Sequence, residues 1–387
     1  MGERLLLSGE GPFPRVARGV RELSDGDLYT KMLSDSEHEK ARALVLRFGW
    51  NATAYQILNP GIELWFSRTG DGVVGFVRHG STRVVGGAPV CDVARLDAVV
   101  AEFMDDARRL RQRVCFFGAG ERLDSRLGGS SQWSRVLLGA QPIWNPTSWP
   151  DAVGRRGSLR AQFNRARNKG IVVSEWPHQR AENHPALRHC LADWLQSRRL
   201  PPLHFMVEPE TLSDLRDRRV FVAERKGSDA VAFTILSPVP ARHGWLVEQI
   251  VRGRHAPNGT AELLIDFAMR AVAESGSCYA TLGLSPLSER APIVAVSPPL
   301  WLRLTLRWVR LHGARFYNFI GLDTFKAKFN PESWEPIYAI AEGAKFRPRD
   351  LYAIAGAFSG GAPLRLIGGA IWRAARQELA SLFRLRS

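Results

Sequence analysis

The chain lacks the residues that mark several large classes of protein. It has only four cysteines among 387 residues, none spaced as Cys-x-x-Cys and none followed by histidine at zinc spacing. This scarcity argues against a disulfide scaffold or a zinc module and indicates reduced, mostly buried thiols in a cytoplasmic protein. No run of about 18 apolar residues occurs, so no transmembrane helix is expected. The start of the chain, with Glu3 and Glu10 around three leucines, does not have the pattern of a signal peptide.

Common catalytic signatures are absent too. The sequence contains no Gly-x-Ser-x-Gly, His-Glu-x-x-His, Walker or Gly-x-Gly-x-x-Gly motif and no Ser-His-Asp order. The nine histidines show no paired spacing, so no metal is expected. The chemistry must therefore be sought in less familiar combinations of residues.

Acidic residues are few relative to basic ones. There are 53 Lys and Arg against 38 Asp and Glu, a net charge of +15. Such an excess indicates attraction to a polyanion, either nucleic acid or an anionic membrane surface. An arginine-rich composition without a binding role is the alternative. The length predicts two domains, and a hydrophobic content of 45% is normal for a globular protein.

One order of predicted elements occurs twice: two strands, a third strand, a helix and a further strand. The first copy is predicted at Glu63–Ser67, Val73–Val77, Arg83–Val85, Leu96–Arg111 and Val114–Phe117. The second copy is predicted at Arg219–Glu224, Ala230–Leu236, Trp245–Val251, Thr260–Ala273 and Cys278–Leu282. We expect an α/β fold of two related lobes, with mixed sheets flanked by helices, joined near Gln141–Pro150. Chance similarity of generic α/β patterns is the alternative.

The predicted domains are residues 1–145, 146–350 and a tail at 351–387. In the tail, apolar residues recur at helical spacing from Leu364 to Leu382, and five arginines accompany one acid, Glu378. This pattern predicts a basic amphipathic helix that either lies on an anionic membrane or packs on its own lobe. The segment Pro298–Leu311, with two Trp and three Arg, is a second candidate membrane surface.

A basic helix is predicted from Ser158 to Gly170, directly after the linker. Ser158 is a plausible cap at its start, and Gly170 is a plausible stop. The side chains with donors suited to phosphate are Arg160, Asn164, Arg165 and Arg167. A merely solvated basic face is the alternative.

A strand, a glycine-containing loop and a helix follow one another between Val247 and Thr260. Exposed N–H groups at a helix start can bind an anion or a polarised carbonyl oxygen, which makes Asn258, Gly259 and Thr260 candidate substrate-binding residues. Capping of the helix by Asn258 or Thr260 is the alternative. Glu248 is a candidate general base or an ordinary acid on a strand face.

Two lysines stand between phenylalanines in Phe325-Lys-Ala-Lys-Phe329. On a helix or irregular turn, Lys326 and Lys328 would diverge, so that one faces a site and the other a phosphate or solvent. An edge strand with a core face is the alternative. Ser285 and Ser288 follow a predicted strand, where α/β sheets place ligand loops, although both could be turn residues.

These segments together resemble the aminoacyl-phosphatidylglycerol synthase family, the C-terminal catalytic domain of phosphatidylglycerol lysyltransferases. The resemblance covers roughly residues 41–350. It rests on the basic helix, Ala256-Pro-Asn-Gly-Thr260, Gly283-Leu-Ser-Pro-Leu-Ser288, Tyr317–Phe329 and Trp334-Glu-Pro336. The chain departs from the family pattern at Val251, His255 and Ile320, and Glu248 replaces a family Asp.

The resemblance implies a tandem acetyltransferase-like (GNAT) fold that moves an aminoacyl group from aminoacyl-tRNA to a lipid hydroxyl without a metal or nucleotide cofactor. We assign catalytic roles to three residues: Lys326 and Lys328 are expected to contact a phosphate or the oxyanion, and Glu248 to take the proton or bind the amino group. We expect substrate contacts at Asn258, Gly259, Thr260, Ser285, Ser288, Asn318 and Arg252, and contacts of the basic helix with the tRNA acceptor end or a lipid phosphate. The expected partners are aminoacyl-tRNA and an anionic phospholipid, at the inner face of the membrane. An acyl-CoA-dependent N-acyltransferase and a non-catalytic binder of RNA or anionic lipid are the rival functions.

Overall fold

The computed structural model describes residues 25–198, 203–226, 229–292, 298–312 and 318–361. The strands in these ranges are β1 (Glu63–Phe66), β2 (Gly72–His79), β3 (Thr82–Gly86), β4 (Val90–Cys91), β5 (Arg113–Ala119), β6 (Trp133–Trp144), β7 (Ile171–Trp176), β8 (Arg219–Arg225), β9 (Ala230–Val239), β10 (Gly244–Arg252), β11 (Tyr279–Thr281), β12 (Ser285–Pro286) and β13 (Ser333–Glu342). The helices are α1 (Asp25–Phe48), α2 (Leu96–Arg109), α3 (Glu121–Leu127), α4 (Trp149–Gly154), α5 (Gly157–Asn168), α6 (His178–Ala181), α7 (Pro185–Ser197), α8 (Thr260–Glu274), α9 (Leu300–His312), α10 (Phe319–Ala327) and α11 (Pro348–Phe358).

All described strands belong to one mixed sheet. Its main path runs β1-β2-β3-β5-β13-β6-β11-β10-β9-β8-β7, with β4 added on β2 and β12 on β6. Helices cover both faces: α5 and α8 pack on one face of the second half, and α7 packs on the other. The predicted α/β class, with mixed sheets flanked by helices, is therefore confirmed.

The predicted duplication is visible in the strand pairing. In the first half β1, β2 and β3 pair antiparallel in sequence, and β3 then pairs parallel with β5 after the crossover helix α2. In the second half β8, β9 and β10 pair antiparallel, and β10 pairs parallel with β11 after α8. Alternating apolar residues bury the strands, and the apolar stripes of α2 and α8 complete the two cores.

Strand β13 ties the two halves of the chain together. Although it follows the whole second half in sequence, it lies between β5 and β6 and pairs antiparallel with both. Helix α11 comes next and packs on β2 and β3. The end of the described chain thus returns to the first half, whereas the sequence analysis assigned residues 146–350 to one lobe. The predicted boundaries at 145 and 350 stay predictions.

A buried polar cluster joins the halves where β10 bulges. The register with β9 shifts between Val247 and Gln249, and the extra residue is Glu248. Its Oε2 accepts hydrogen bonds from Arg218 (3.1 Å) and Ser237 (2.8 Å), and both charged side chains are 5% exposed. The guanidinium of Arg218 also lies 4.7 Å from the ring centre of Tyr55 in the first half. An ion pair this deeply buried fixes the geometry of the junction.

No helix in the described ranges is long and apolar enough to cross a membrane. The predicted amphipathic tail, Leu364–Ser387, lies outside the described residues. Helix α9, from the second candidate membrane surface, buries Leu302 and leaves Leu300 and Leu304 exposed.

The junction can be tested with Glu248→Gln. The substitution keeps the shape of the side chain but leaves the Arg218 charge buried without its counter-ion, so the free energy of unfolding in urea should fall by about 3–5 kcal/mol. Glu63→Gln is the matched control, because the Glu63–Arg78 pair is exposed and should contribute less than about 1 kcal/mol. Similar small losses in both variants would contradict a junction held by this ion pair.

Candidate active site

The second half of the sheet opens where β10 and β11 part. The two strands pair only from Gly244 to Leu246 on β10, opposite Tyr279 to Thr281 on β11. Strand β10 continues to Arg252, and among the described strands this outer half pairs only with β9. After β11 the chain leaves β10 and pairs with β6 as β12. A cleft therefore begins at the carboxyl end of β11, where α/β sheets commonly bind ligands.

Lys326 occupies the inner end of this region. It lies in the last turn of α10, and its side chain is buried. Its Nζ donates hydrogen bonds of 2.8 Å to the carbonyl oxygens of Gly283 and Leu284, which precede β12. These carbonyl groups are available because that stretch of chain has left the edge of β10. We call Phe325–Phe329 the lysine segment. Of its two predicted structures, a helix or an edge strand, the structure has the helix.

Burial sets the protonation of Lys326. Desolvation lowers its pKa from 10.5 to about 7, and the negative charge of Asp323, one turn earlier on α10, opposes that shift. Near neutral pH a large fraction of the side chain is then a neutral amine. A neutral amine has two N–H donors and one lone pair, so donation to the two carbonyl oxygens leaves the lone pair free to accept a proton.

Ser285 adds an unused polar group next to these carbonyls. Its side chain is fully buried, and its Oγ has no hydrogen-bond partner among the described residues. A buried hydroxyl without a partner is costly, and a bound substrate could supply the missing bond.

Ser288 belongs to a second polar group beside Lys326. Its Oγ donates to Asp323 (2.6 Å), whose other oxygen accepts from Arg290 (2.7 Å). These residues line a surface pocket of about 260 Å³ that also includes Ile320. The sequence analysis singled out Ser288 but missed Asp323 and Arg290. Their charges stand 33 residues apart, so no spacing along the chain indicated the pair.

Lys328 faces away from Lys326, as its position two residues later predicts. Its Nζ forms an ion pair with Glu262 in the first turn of α8 and lies 4.0 Å from the ring centre of Phe325. Phe329 is buried, and its carbonyl oxygen accepts from the indole of Trp144 (3.0 Å). The lysine segment is thus held against the start of α8.

The start of α8 is closed by α5. Gly259 has a φ of 93°, and a Cβ there would collide with the carbonyl oxygen of Gln162 on α5. Thr260 is fully buried, and both its amide and its hydroxyl bond the carbonyl of Pro257. Of the three residues predicted to bind substrate here, only Asn258 is exposed.

The basic side of α5 is exposed close to the lysine segment. Its exposed side chains include all four predicted phosphate-binding residues: Arg160, Asn164, Arg165 and Arg167. Arg156, just before the helix, donates to Asn330 (3.1 Å) directly after the lysine segment. The structure therefore brings the basic helix, the loop before α8 and the lysine segment into contact.

Other predicted site residues lie apart from this group or act locally. Glu248 is committed to Arg218 and Ser237 at the junction. Arg252 is exposed at the far end of β10. The side chain of Asn318 caps α10 by accepting from the amide of Gly321 (2.8 Å). Within the described ranges, no cluster of three His, Cys, Asp or Glu side chains could hold a metal ion.

The shifted pKa of Lys326 has a measurable effect on stability. Above pH 7 the folded protein has released the Lys326 proton, whereas the unfolded chain holds it up to its ordinary pKa of 10.5. The unfolded state then binds more protons, so stability should rise from pH 7 to about pH 10, by about 4 kcal/mol from this group. Urea unfolding of Lys326→Met should lack this rise. Lys345→Met, at an exposed lysine, should retain it, and equal pH profiles in both variants would contradict the burial of a neutral amine.

The chain was compared with proteins of known structure. The chain is similar in structure to the C-terminal domain of a proposed lysylphosphatidylglycerol synthetase from Agrobacterium fabrum, with 23% identity, a TM-score of 0.71, and coverage of 84% of this chain and 98% of that one. It is similar to L-PGS from Bacillus licheniformis, with 21% identity, a TM-score of 0.68, and coverage of 82% and 95%. These likenesses show the fold.

No curated protein sequence gave a significant match. A family model described as "Phosphatidylglycerol lysyltransferase, C-terminal" matches residues 42–341, which span both halves of the sheet and every segment of the candidate site. The chain therefore belongs to the phosphatidylglycerol lysyltransferase C-terminal domain family.

Proposed function

We propose that this protein transfers an aminoacyl group from aminoacyl-tRNA to a hydroxyl group of an anionic lipid such as phosphatidylglycerol. Membership of the family supports a transferase acting on such a lipid. The tRNA donor, the acceptor and the residues below are parts of the proposal. The observation that carries it is Lys326, a buried amine with a pKa of about 7, held by two carbonyl oxygens at the inner end of the cleft.

Lys326 has the properties that ester exchange requires. The ester of aminoacyl-tRNA is already activated, so the enzyme must position the acceptor hydroxyl and take its proton. In the proposed reaction the hydroxyl oxygen attacks the ester carbonyl carbon while its proton passes to the lone pair on Nζ of Lys326. The tetrahedral intermediate then expels the ribose oxygen, which receives that proton. One ester bond forms and one breaks, and no cofactor is consumed.

The groups around Lys326 supply binding and positioning. The unpaired hydroxyl of Ser285 and the exposed amide of Asn258 are proposed to contact the aminoacyl ester. The ion pair of Lys328 with Glu262 holds the lysine segment, and the exposed arginines of α5 are proposed to meet the phosphates of the tRNA acceptor end. Glu248 is proposed to position the two halves, since its Oε2 accepts from Arg218 and Ser237 at their junction.

The acyl-CoA-dependent rival fits the start of α8 poorly. A pyrophosphate cradle needs free amides and room at a helix start. Pro257 has no N–H to give, the amide of Thr260 is used by Pro257, and α5 lies against Gly259. Titration with acetyl-CoA should therefore show no binding, whereas tight binding would favour that rival.

Location follows from the proposed substrates. A basic protein that joins a charged tRNA to an anionic lipid would work on the cytoplasmic surface of a membrane. Its net charge of +15 favours contact with that surface.

The function predicts a specific loss in Lys326→Met. With aminoacyl-tRNA and phosphatidylglycerol vesicles, transfer should fall by about 100-fold or more, because a general base typically contributes a factor of 10²–10⁴. The unaltered enzyme should become faster from pH 6 to pH 8 as the neutral amine forms, and the residual rate of the variant should lack that dependence.

Lys345→Met serves again as the control and should transfer at the unaltered rate with the same pH profile. Full transfer by Lys326→Met would remove this residue from the mechanism. A protein that binds tRNA and vesicles but shows no turnover would instead favour the non-catalytic rival.

Contact between α5 and tRNA phosphates predicts a change in salt dependence. For the double variant Arg160→Ala/Arg167→Ala, the slope of log binding constant against log salt should decrease in magnitude by about 1.4, at about 0.7 per lost contact with single-stranded RNA. Fluorescence anisotropy of labelled tRNA at several salt concentrations measures this slope. The control Arg108→Ala/Arg109→Ala alters two exposed arginines of α2 and should leave the slope unchanged. Equal slopes in the two double variants would exclude α5 as the tRNA contact.

A further inference from the structure

The first half of the chain contains a larger pocket that the proposed reaction does not use. It has a volume of about 360 Å³ and lies among the loop after α1, β4, the start of α3 and strands β6 and β13. Its walls are mostly apolar and include Phe48, Val90, Leu96, Leu123 and Ile337. We call it the Arg122 pocket, after the arginine of α3 that lines it.

The Arg122 pocket and the Lys326 site lie on opposite faces of the sheet. Gln141 lines the pocket, while Trp144, three residues further along β6, donates its indole N–H to the carbonyl of Phe329 in the lysine segment. Successive side chains of a strand point to opposite faces, so side chains three residues apart also do. The two cavities are therefore separate.

Arg122 places a positive charge in the pocket and forms no contact ion pair with a described carboxylate. Its guanidinium lies 3.8 Å from the ring centre of Trp50 and forms no ion pair with any described carboxylate. The pKa of Arg122 is lowered by burial; Cys91 and Asp92 oppose that shift, and the charge of Arg242 adds to it. A stacked guanidinium keeps the N–H groups at its edge available, and those groups fit a carboxylate or phosphate.

The neighbouring charges are already balanced or lie at the rim. Arg242 lies 5.1 Å from the same Trp50 ring but is held in a two-point ion pair by Glu335, at 2.6 and 3.0 Å. Glu121, next to Arg122, is exposed at the rim of the pocket. Of the two arginines that line this pocket, Arg122 is the one without a contact ion pair among the described residues, although Asp92 lies near enough to act on its charge.

From these features we propose that the Arg122 pocket binds a small amphiphilic anion, a carboxylate or phosphate monoester with a short apolar chain. The anionic group pairs with Arg122, and the chain lies on the apolar walls. Both parts contribute: the ion pair relieves a half-buried unbalanced charge, and the chain removes apolar surface from water.

Isothermal titration calorimetry with four probes tests this pairing. Octanoate and octyl phosphate carry both parts of the proposed ligand, octanol lacks the charge, and acetate lacks the chain. The unaltered protein should bind octanoate or octyl phosphate at least tenfold more tightly than octanol and acetate. Their relative affinities tell which anion the pocket prefers, and binding of neither anionic amphiphile would overturn the proposal.

Arg122→Gln should weaken binding of the anionic amphiphile at least tenfold without changing the affinity for octanol. Arg126→Gln is the matched control on the same helix, because Arg126 is exposed and paired with Asp97, and it should bind like the unaltered protein. Glu121→Gln, which removes an acid at the rim, should bind at least as tightly. An Arg122→Gln protein that melts at the unaltered temperature and binds octanoate normally would overturn the proposal.

A second variant guards against an effect of misfolding. Trp50→Leu removes the ring against which Arg122 stacks and should also weaken the anionic probe, with Arg126→Gln again as reference. Lys326→Met should bind octanoate normally, since its cavity is on the other face of the sheet. Loss of octanoate binding in Lys326→Met would show that the probe enters the transfer site, which would overturn the Arg122 assignment and leave the proposed function intact.

Discussion

The parting of β10 and β11 is the constraint on which the candidate site depends. If β11 followed β10 along its whole length, the carbonyl groups of Gly283 and Leu284 would be taken up by sheet hydrogen bonds. Because the chain turns to pair with β6 instead, those two oxygens accept from Lys326, and an amine can be buried without a carboxylate in contact. Burial at this position lowers the pKa of Lys326 to about 7, and the proposed chemistry follows from that shift.

The buried ion pair of Arg218 and Glu248 has a different role, although it lies on the same strand. Oε2 of Glu248 accepts from Arg218 and Ser237, whereas Oε1 is buried without a partner among the described residues, and Arg218 connects β8–β10 to Tyr55 and Asn59 of the first half. A buried ion pair of this kind defines the relative position of the elements it joins more than it adds to net stability, because the cost of desolvating the two charges offsets much of their attraction. Glu248 follows Leu246, the last residue of β10 that pairs with β11, so the contact between the two halves lies on the same outer half of β10 that borders the cleft.

Much of the fold could be predicted because its elements carry local signals. Alternation and helical spacing located the repeated strands and helices to within a few residues, and the basic helix 158–170 corresponds to α5. Elements defined by distant partners were missed. The sequence of β13 does not indicate that it pairs with β5 and β6. Helix α1 was not predicted. Glu248 was a candidate base from its strand position and from the family resemblance, and nothing in the local sequence indicated its partner Arg218, 30 residues earlier.

The same reasoning explains which parts of the site were accessible from sequence. Lys326 and Lys328 stood out because two charges among phenylalanines are unusual, and their spacing correctly implied divergent directions. What their spacing could not give is the environment of each: one amine desolvated on carbonyl oxygens, the other in an ion pair with Glu262. Arg122 is the opposite case. It is one of many arginines in a basic chain, and only the stacking on Trp50 and the absence of a carboxylate partner among the described residues distinguish it. In a protein with a net charge of +15, the Lys and Arg side chains that point to a functional site are therefore those that the fold desolvates. Most of the others remain hydrated or paired at the surface.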